Sequence, residues 1–172
     1  MAFAPALVPP LFRAFTVLLM TATLAAADDE AAFRALQEPA AKGDPAAQLS
    51  LAIAYRDGKG VEKDPAAAML WGHRAADQGL AEALDFVGFA YLRGAMVQRN
   101  TPLALAYFQA AAGESAQAAF NLGQCYYGAQ GTEQDCAKGL EWWEKAAAMG
   151  HGRAAAAAAM ACLSGEGVPR DP

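Results

Sequence analysis

One pattern recurs four times along this chain, and recurrence at a fixed period constrains the fold more than any other feature it carries. The clearest copy spans Ala47 to Gly79: Ala47, Leu51 and Tyr55 are followed by Gly58, Gly60, Val61 and Asp64, then by Trp71, Ala75, Ala76 and Gly79. Thirty-six residues on, Ala83, Val87, Tyr91, Gly94, Val97, Asn100, Tyr107, Ala111 and Ala112 occupy the same places. A third copy, offset by 35 because one residue is missing between Ser115 and Ala118, supplies Ala118, Leu122, Tyr126, Gly131, Asp135, Trp142, Ala146, Ala147 and Gly150. A fourth starts at Ala154 and passes through Cys162, Gly165, Gly167, Val168 and Asp171. Units of this size cannot hide an apolar face alone, so they stack on their neighbours into a quasi-one-dimensional array.

Each unit reads as two short helices joined by a glycine turn. The positions of Leu51 and Tyr55 lie four apart and share a face, which predicts a first helix over 45–57, 81–93, 116–127 and 152–164. The residue after Leu51 is Ala52, and its equivalents are Gly88, Gly123 and Ala159, small because a partner helix crosses there. Gly58 and Gly60 allow positive φ in the turn, and Val61 tucks back under the pair. Asp64, Asn100 or Thr101, and Asp135 are the expected N-caps of the second helix, with Pro65 and Pro102 behind two of them. Trp71, Tyr107 and Trp142 are the expected large anchors of that helix. The second unit keeps Gly94 but has Ala95-Met96 after it, with no glycine at the place of Gly60, so its turn is expected to differ.

The units are then 44–79, 80–115 and 116–150, with a partial fourth over 151–172. Ahead of them, residues 28–43 are expected to form a capping helix with Phe33 and Leu36 on one face. Pro39 is expected to break or kink it, and Gly43-Asp44-Pro45 to end it. In the fourth unit the alanine run 154–159 has high helix propensity and little to bury. Met160, Cys162 and Leu163 lack a covering helix there, so either the array ends loosely or a partner or a second copy of the chain covers them.

Composition and charge narrow the function. Hydrophobic residues are 55% of the 172, largely alanine, and charged residues 18%, which argues for a folded chain. A net charge of −5 provides no electrostatic reason to bind nucleic acid. Residues 1–27 read as an export leader: Arg13, an apolar run from Ala14 to Leu24, then the small-residue site Ala25-Ala26-Ala27. The other reading is an uncleaved anchor, although the run is shorter than the ~20 residues a span needs. Export places the chain in the periplasm or outside the cell, with no membrane span after cleavage.

In that oxidising setting Cys125, at the end of one helix, and Cys136, at the start of the next, are a candidate disulfide. The alternative is a small buried thiol, since the equivalents of Cys125 are Ala54, Ala90 and Ala161. No metal site is expected, because there is no C-x2-C pair and His73 and His151 fall in different units. His73 reads as a surface helix residue and His151 as a loop residue. No G-x-S-x-G, H-E-x-x-H or G-x4-G-K occurs, so no catalytic residue, cofactor or enzymatic activity is expected.

The pattern A-x3-L-(G/A)-x2-Y-x2-G-x-G-V-x2-D, continued by W-x3-A-A-x2-G, resembles the Sel-one-like repeat, a relative of the tetratricopeptide repeat. Phe120 to Tyr126 and Trp142 to Ala147 match it equally well, and the resemblance covers about residues 30–172. It implies an all-α, right-handed α-solenoid of stacked helix-turn-helix repeats that serves as an adaptor or scaffold for a protein or peptide partner. For exported bacterial members it implies envelope or host-facing roles.

By analogy with tetratricopeptide arrays, the first helices line the concave side. With the Leu51 and Tyr55 face assigned to the core, the positions of Ala46, Leu49, Ile53, Arg56 and Asp57 remain for that surface. The expected partner-binding residues are therefore Leu49, Ile53 and Arg56, then Asp85, Phe89, Leu92 and Arg93, then Phe120, Gln124 and Tyr127. They form a mostly apolar stripe suited to an extended or helical peptide. The competing reading is that these side chains fill gaps between stacked units. A second function class is an envelope protein that binds peptidoglycan or related cell-wall compounds, with weak hydrolase activity. The relatives that suggest it carry regular cysteine pairs that this chain lacks.

Overall fold

The computed structural model describes residues 27–165. The leader read over residues 1–27, except Ala27, and the turn of the fourth unit with Gly167, Val168 and Asp171 lie outside the described residues. Among the described residues there are eight helices and no strand. They are α1 (27–41), α2 (Pro45–Asp57), α3 (Pro65–Ala76), α4 (Ala81–Arg93), α5 (Thr101–Ala111), α6 (Ala116–Tyr127), α7 (Cys136–Ala148) and α8 (Gly152–Ser164). Each packs mainly on its sequence neighbours: α2 on α3, α4 on α5 and α6 on α7 within a unit, and α3 on α4, α5 on α6 and α7 on α8 between units. The first helices of adjacent units also meet where α4 touches α6. This is a helical solenoid of repeats.

Local chemistry starts and stops these helices. Asp64 accepts from the Ala66 and Ala67 amides at 2.9 and 3.0 Å, with Pro65 behind it. Asn100, rather than Thr101, caps α5 by accepting from Leu103, and Asp135 caps α7 by accepting from Lys138. These side chains satisfy amides that the helix itself leaves without partners. Gly60 (φ 67°) and Gly131 (φ 81°) do more than turn the chain. A Cβ on Gly60 would overlap the Asp29 carbonyl, and one on Gly131 would lie 2.7 Å from the Thr101 carbonyl oxygen, so each turn is seated on the helix that precedes its own unit, α1 and α5 respectively. Met96 stands where Gly60 stands in the first unit, and its half-buried side chain packs against the core while also lining the groove described below.

The anchors of the second helices differ from expectation. Trp71, Tyr107 and Trp142 are only half-buried, with the Arg74 guanidinium 4.6 Å from the Trp71 ring and the Lys145 ammonium 4.1 Å from the Trp142 ring. The inward position is the next one along, occupied by Gly72, Phe108 and Trp143. Its neighbours on the buried stripe are Ala68 and Ala75, Ala104 and Ala111, and Gly139 and Ala146. Those spacings of four and three place the stripe about 100° away from the preceding residue, which therefore sits at its edge. Bulk inside is complementary: Phe108 faces Gly88, and Trp143 faces Gly123.

Helix α1 continues through Pro39 to residue 41, the proline falling in its last turn. It covers the first unit through Phe33, edge-on to Tyr55 at 5.3 Å, and through the Ala40 carbonyl, which accepts from buried Gln48. All three cysteines are free thiols: Cys125 is buried, Cys136 half-buried and Cys162 exposed, so the candidate Cys125–Cys136 bond is not formed in this structure. Cys125 occupies the same buried slot as Ala54, Ala90 and Ala161, and burial pushes its pKa up to about 11.

Candidate functional site

Three adjoining hollows run along the first helices of the units. The first, about 430 Å³, is lined by Leu49, Ile53 and Arg56 of α2, by Glu82, Asp85, Phe86, Phe89 and Arg93 of α4, and by Met96. The second, about 740 Å³, shares Phe89 and Arg93 with it and extends over Leu92, Phe120, Gln124 and Tyr127. The third, about 420 Å³, shares Gln124, Tyr127 and Trp143 with the second and continues along α8 past Met160 to Ser164. The shared residues make one trough. All ten residues expected to form the partner surface line its first two hollows.

These ten play unlike parts. Phe120 is buried and stacks on the His151 ring at 4.6 Å, so it is a gap-filler between units as well as part of the trough wall. Leu49, Ile53, Leu92 and Tyr127 are half-buried, whereas Phe89 is 44% exposed at the junction of the first two hollows. Arg56 is tied to Asp57 by two hydrogen bonds of 2.8 and 2.9 Å, which hold the Asp57 carboxyl below its usual range. Arg93 lies over Phe89 at 5.5 Å and Arg153 over Phe120 at 5.1 Å, contacts of cation–π type.

A polar chain crosses beneath the trough. Asn121 donates to Asp85 at 2.7 Å and accepts from Gln117 at 3.1 Å, and Gln117 meets His151 Nε2 at 3.1 Å. His151 Nδ1 accepts from the Ala154 amide, so Nε2 carries the proton and donates to the Gln117 oxygen. His151 is therefore the N-cap of α8 rather than a loop residue. Burial pushes the Asp85 carboxyl up to about 6, against the opposing pull of the Asn121 hydrogen bond. His73 is likewise no free surface residue. Its two ring nitrogens face the hydroxyls of Tyr91 at 3.4 Å and Tyr107 at 3.3 Å, which bind the first unit to the second.

Several lining residues escape the sequence pattern. Glu82, Gln117 and Arg153 stand at the position of Ala46, a register already assigned to this surface but represented there by a methyl group. Phe86 and Asn121 stand at the position of Ser50, and their signal is a residue that changes chemical type from unit to unit. Met96 and Arg99 come from a turn, where helical periodicity has nothing to say. Among the described residues no group of three His, Cys, Asp or Glu could hold a metal ion, and no helix is long and apolar enough to cross a membrane.

The Sel1 repeat profile matches the chain over residues 45–80, 81–114, 116–151 and 153–172. The chain is similar to the solved structure of c5321, described as a protective antigen present in uropathogenic Escherichia coli strains and displaying an SLR fold. The TM-score is 0.77 at 33% identity, over 81% of this chain and 30% of that one. It is also similar to a Sel1 repeat protein from Oxalobacter formigenes, with a TM-score of 0.74 at 33% identity, over 83% of this chain and 59% of that one. The chain thus spans about a third and somewhat over half of the lengths of these two relatives. No curated protein sequence matches it.

Proposed function

The chain belongs to the Sel1 repeat family, and from that premise we propose that it is an exported adaptor that docks a peptide segment of a protein partner in its trough. Sel1 repeats generally mediate protein interactions, and the family is typically a non-enzymatic scaffold. The observation that carries the reading to this trough is its continuity. An apolar hollow walled by Leu49, Ile53, Phe86 and Met96 opens at exposed Phe89 into two further hollows, a path that suits a chain-like ligand better than a compact one. Export rests on the leader over residues 1–27, and the description of c5321 as a protective antigen supports an outward-facing role.

Affinity capture from the cell envelope with cross-linking identifies the partner, and Phe89→Ala then tests the trough. The substitution is expected to weaken partner binding by about 1–2 kcal/mol, because a central aromatic anchor is removed. Helical content and melting should stay unchanged, since Phe89 is outside the core. Unchanged partner affinity, or a loss matched by loss of fold, defeats the reading. Recovery of the protein only from the cytosol with residues 1–27 intact would defeat the export half.

A further inference from the structure

We infer that the docked segment is acidic beyond its apolar anchor: the second hollow receives side-chain carboxylates on Arg93, Arg99 and Arg153. This rests on the peptide-docking reading above and adds the chemical class of the ligand. The chain as a whole is acidic, with 13 Lys and Arg against 18 Asp and Glu. The second hollow reverses that balance. It is lined by three arginines and by no aspartate or glutamate. Among the described residues none of the three is ion-paired, the ion pairs being Arg34–Glu30, Lys42–Glu38 and Arg56–Asp57.

Three like charges around one hollow repel one another, and a counter-charge from outside relieves them. The residues come from three places, α4, the following turn and α8, so no local helix rule accounts for their meeting. Arg93 and Arg153 lie over the Phe89 and Phe120 rings at 5.5 and 5.1 Å, and neither guanidinium is paired with a carboxylate among the described residues. All three are exposed. Because Phe89 and Arg93 belong to both hollows, a ligand that seats an apolar side chain on Phe89 has its next acidic group within reach of Arg93. That adjacency favours an apolar–acidic peptide over a uniformly charged polyanion, for which the first hollow offers little.

The test is a display selection of random peptides on the full chain, followed by titration of a selected peptide against wild type and the triple variant Arg93→Gln, Arg99→Gln, Arg153→Gln. Selected peptides are expected to carry a large apolar residue close to Asp or Glu. Their affinity should fall about tenfold or more in the triple variant, and fall with added salt. Changing the peptide's acids to amides should reproduce the loss on wild type and have little further effect on the variant. Apolar peptides selected without acidic bias overturn this inference and leave peptide docking standing. Failure to enrich any peptide overturns both. Displacement by inorganic polyphosphate or heparin with no demand for an apolar residue overturns it in favour of a polyanion. A dimer that the triple substitution dissolves gives the arginines to a second copy and overturns it as well. Circular dichroism confirms that the variant is folded.

Discussion

A single methyl group decides how closely the paired helices approach. In an exposed helix, Gly→Ala ordinarily stabilises by about 0.5–1 kcal/mol, because the unfolded glycine is freer. At Gly123 the new Cβ would lie 2.5 Å from Trp143 Cδ1 and 2.9 Å from the Gly139 carbonyl oxygen. The ring is buried, and its indole N–H donates to the Phe120 carbonyl at 3.3 Å, so it cannot swing aside. Overpacking of this kind costs about 1–3 kcal/mol, and packing therefore wins over propensity. Gly123→Ala is expected to lower the urea midpoint, while Gly152→Ala, with nothing within 4 Å, should leave it unchanged or raise it. The thiols are read at the same scale. Alkylation of the native protein should label exposed Cys162 first and buried Cys125 last. In a separate, unlabelled sample, denaturation without reductant should expose three reactive thiols, whereas one would mean that Cys125 and Cys136 are bonded in solution. Residue identity marked Gly88 and Gly123 as crossing points, but it pointed to Tyr107 and Trp142 as the anchors, whereas Phe108 and Trp143 fill them. Trp142 and Trp143 are adjacent and alike, and only the direction of each side chain separates core from edge.

Helices of similar length in this array have unequal reasons to stay folded. Helix α6 buries eight residues, among them Phe120, Leu122, Cys125 and Tyr126, whereas α8 buries Ala154 and Ala161 alone. Met160 and Leu163 on α8 are 70% and 89% exposed. Alanine favours helix locally, but short helices in water depend on tertiary burial more than on propensity. Amide hydrogen exchange should therefore run faster in α8 than in α6 by roughly two orders of magnitude or more. Equal protection would mean that another surface covers Met160 and Leu163. Helix limits were the most legible part of the fold. The first helices run over the expected residues, because proline, caps and αL glycines act within a few positions of the boundary they set. The turns were less so. Gly60 and Gly131 signal a bend in sequence, while their close approach to α1 and α5 depends on how the units stack.

Across the whole molecule, the chain Asp85–Asn121–Gln117–His151 links three units with side-chain hydrogen bonds. Its acidic end has a pH signature. The folded-state pKa of Asp85, about 6, exceeds the 3.8 of an unperturbed aspartate. Between those values the native state holds a proton that the unfolded state has lost, so this group's contribution makes stability fall as pH rises from about 4 to about 6, and level off above. Asp85→Asn keeps an acceptor for Asn121 and removes the titration. The variant should gain on wild type over that pH window, by up to about 3 kcal/mol, in denaturant titrations at stepped pH. A constant difference across the window would show that Asp85 is already ionised in the fold. The array itself was readable from the chain alone, since every unit repeats the same short-range instructions for helix, turn and cap, and agreement among four copies amplifies a weak local signal. The ten trough residues followed from helix register in the same way. What only the tertiary structure decided is what lies beside what: Trp143 inward and Trp142 outward, His73 between two tyrosines, and arginines from two helices and a turn around one hollow without a counter-charge. Those juxtapositions depend on the angle and offset at which neighbouring units pack. Side chains far apart in sequence set that geometry together, and no local period encodes it.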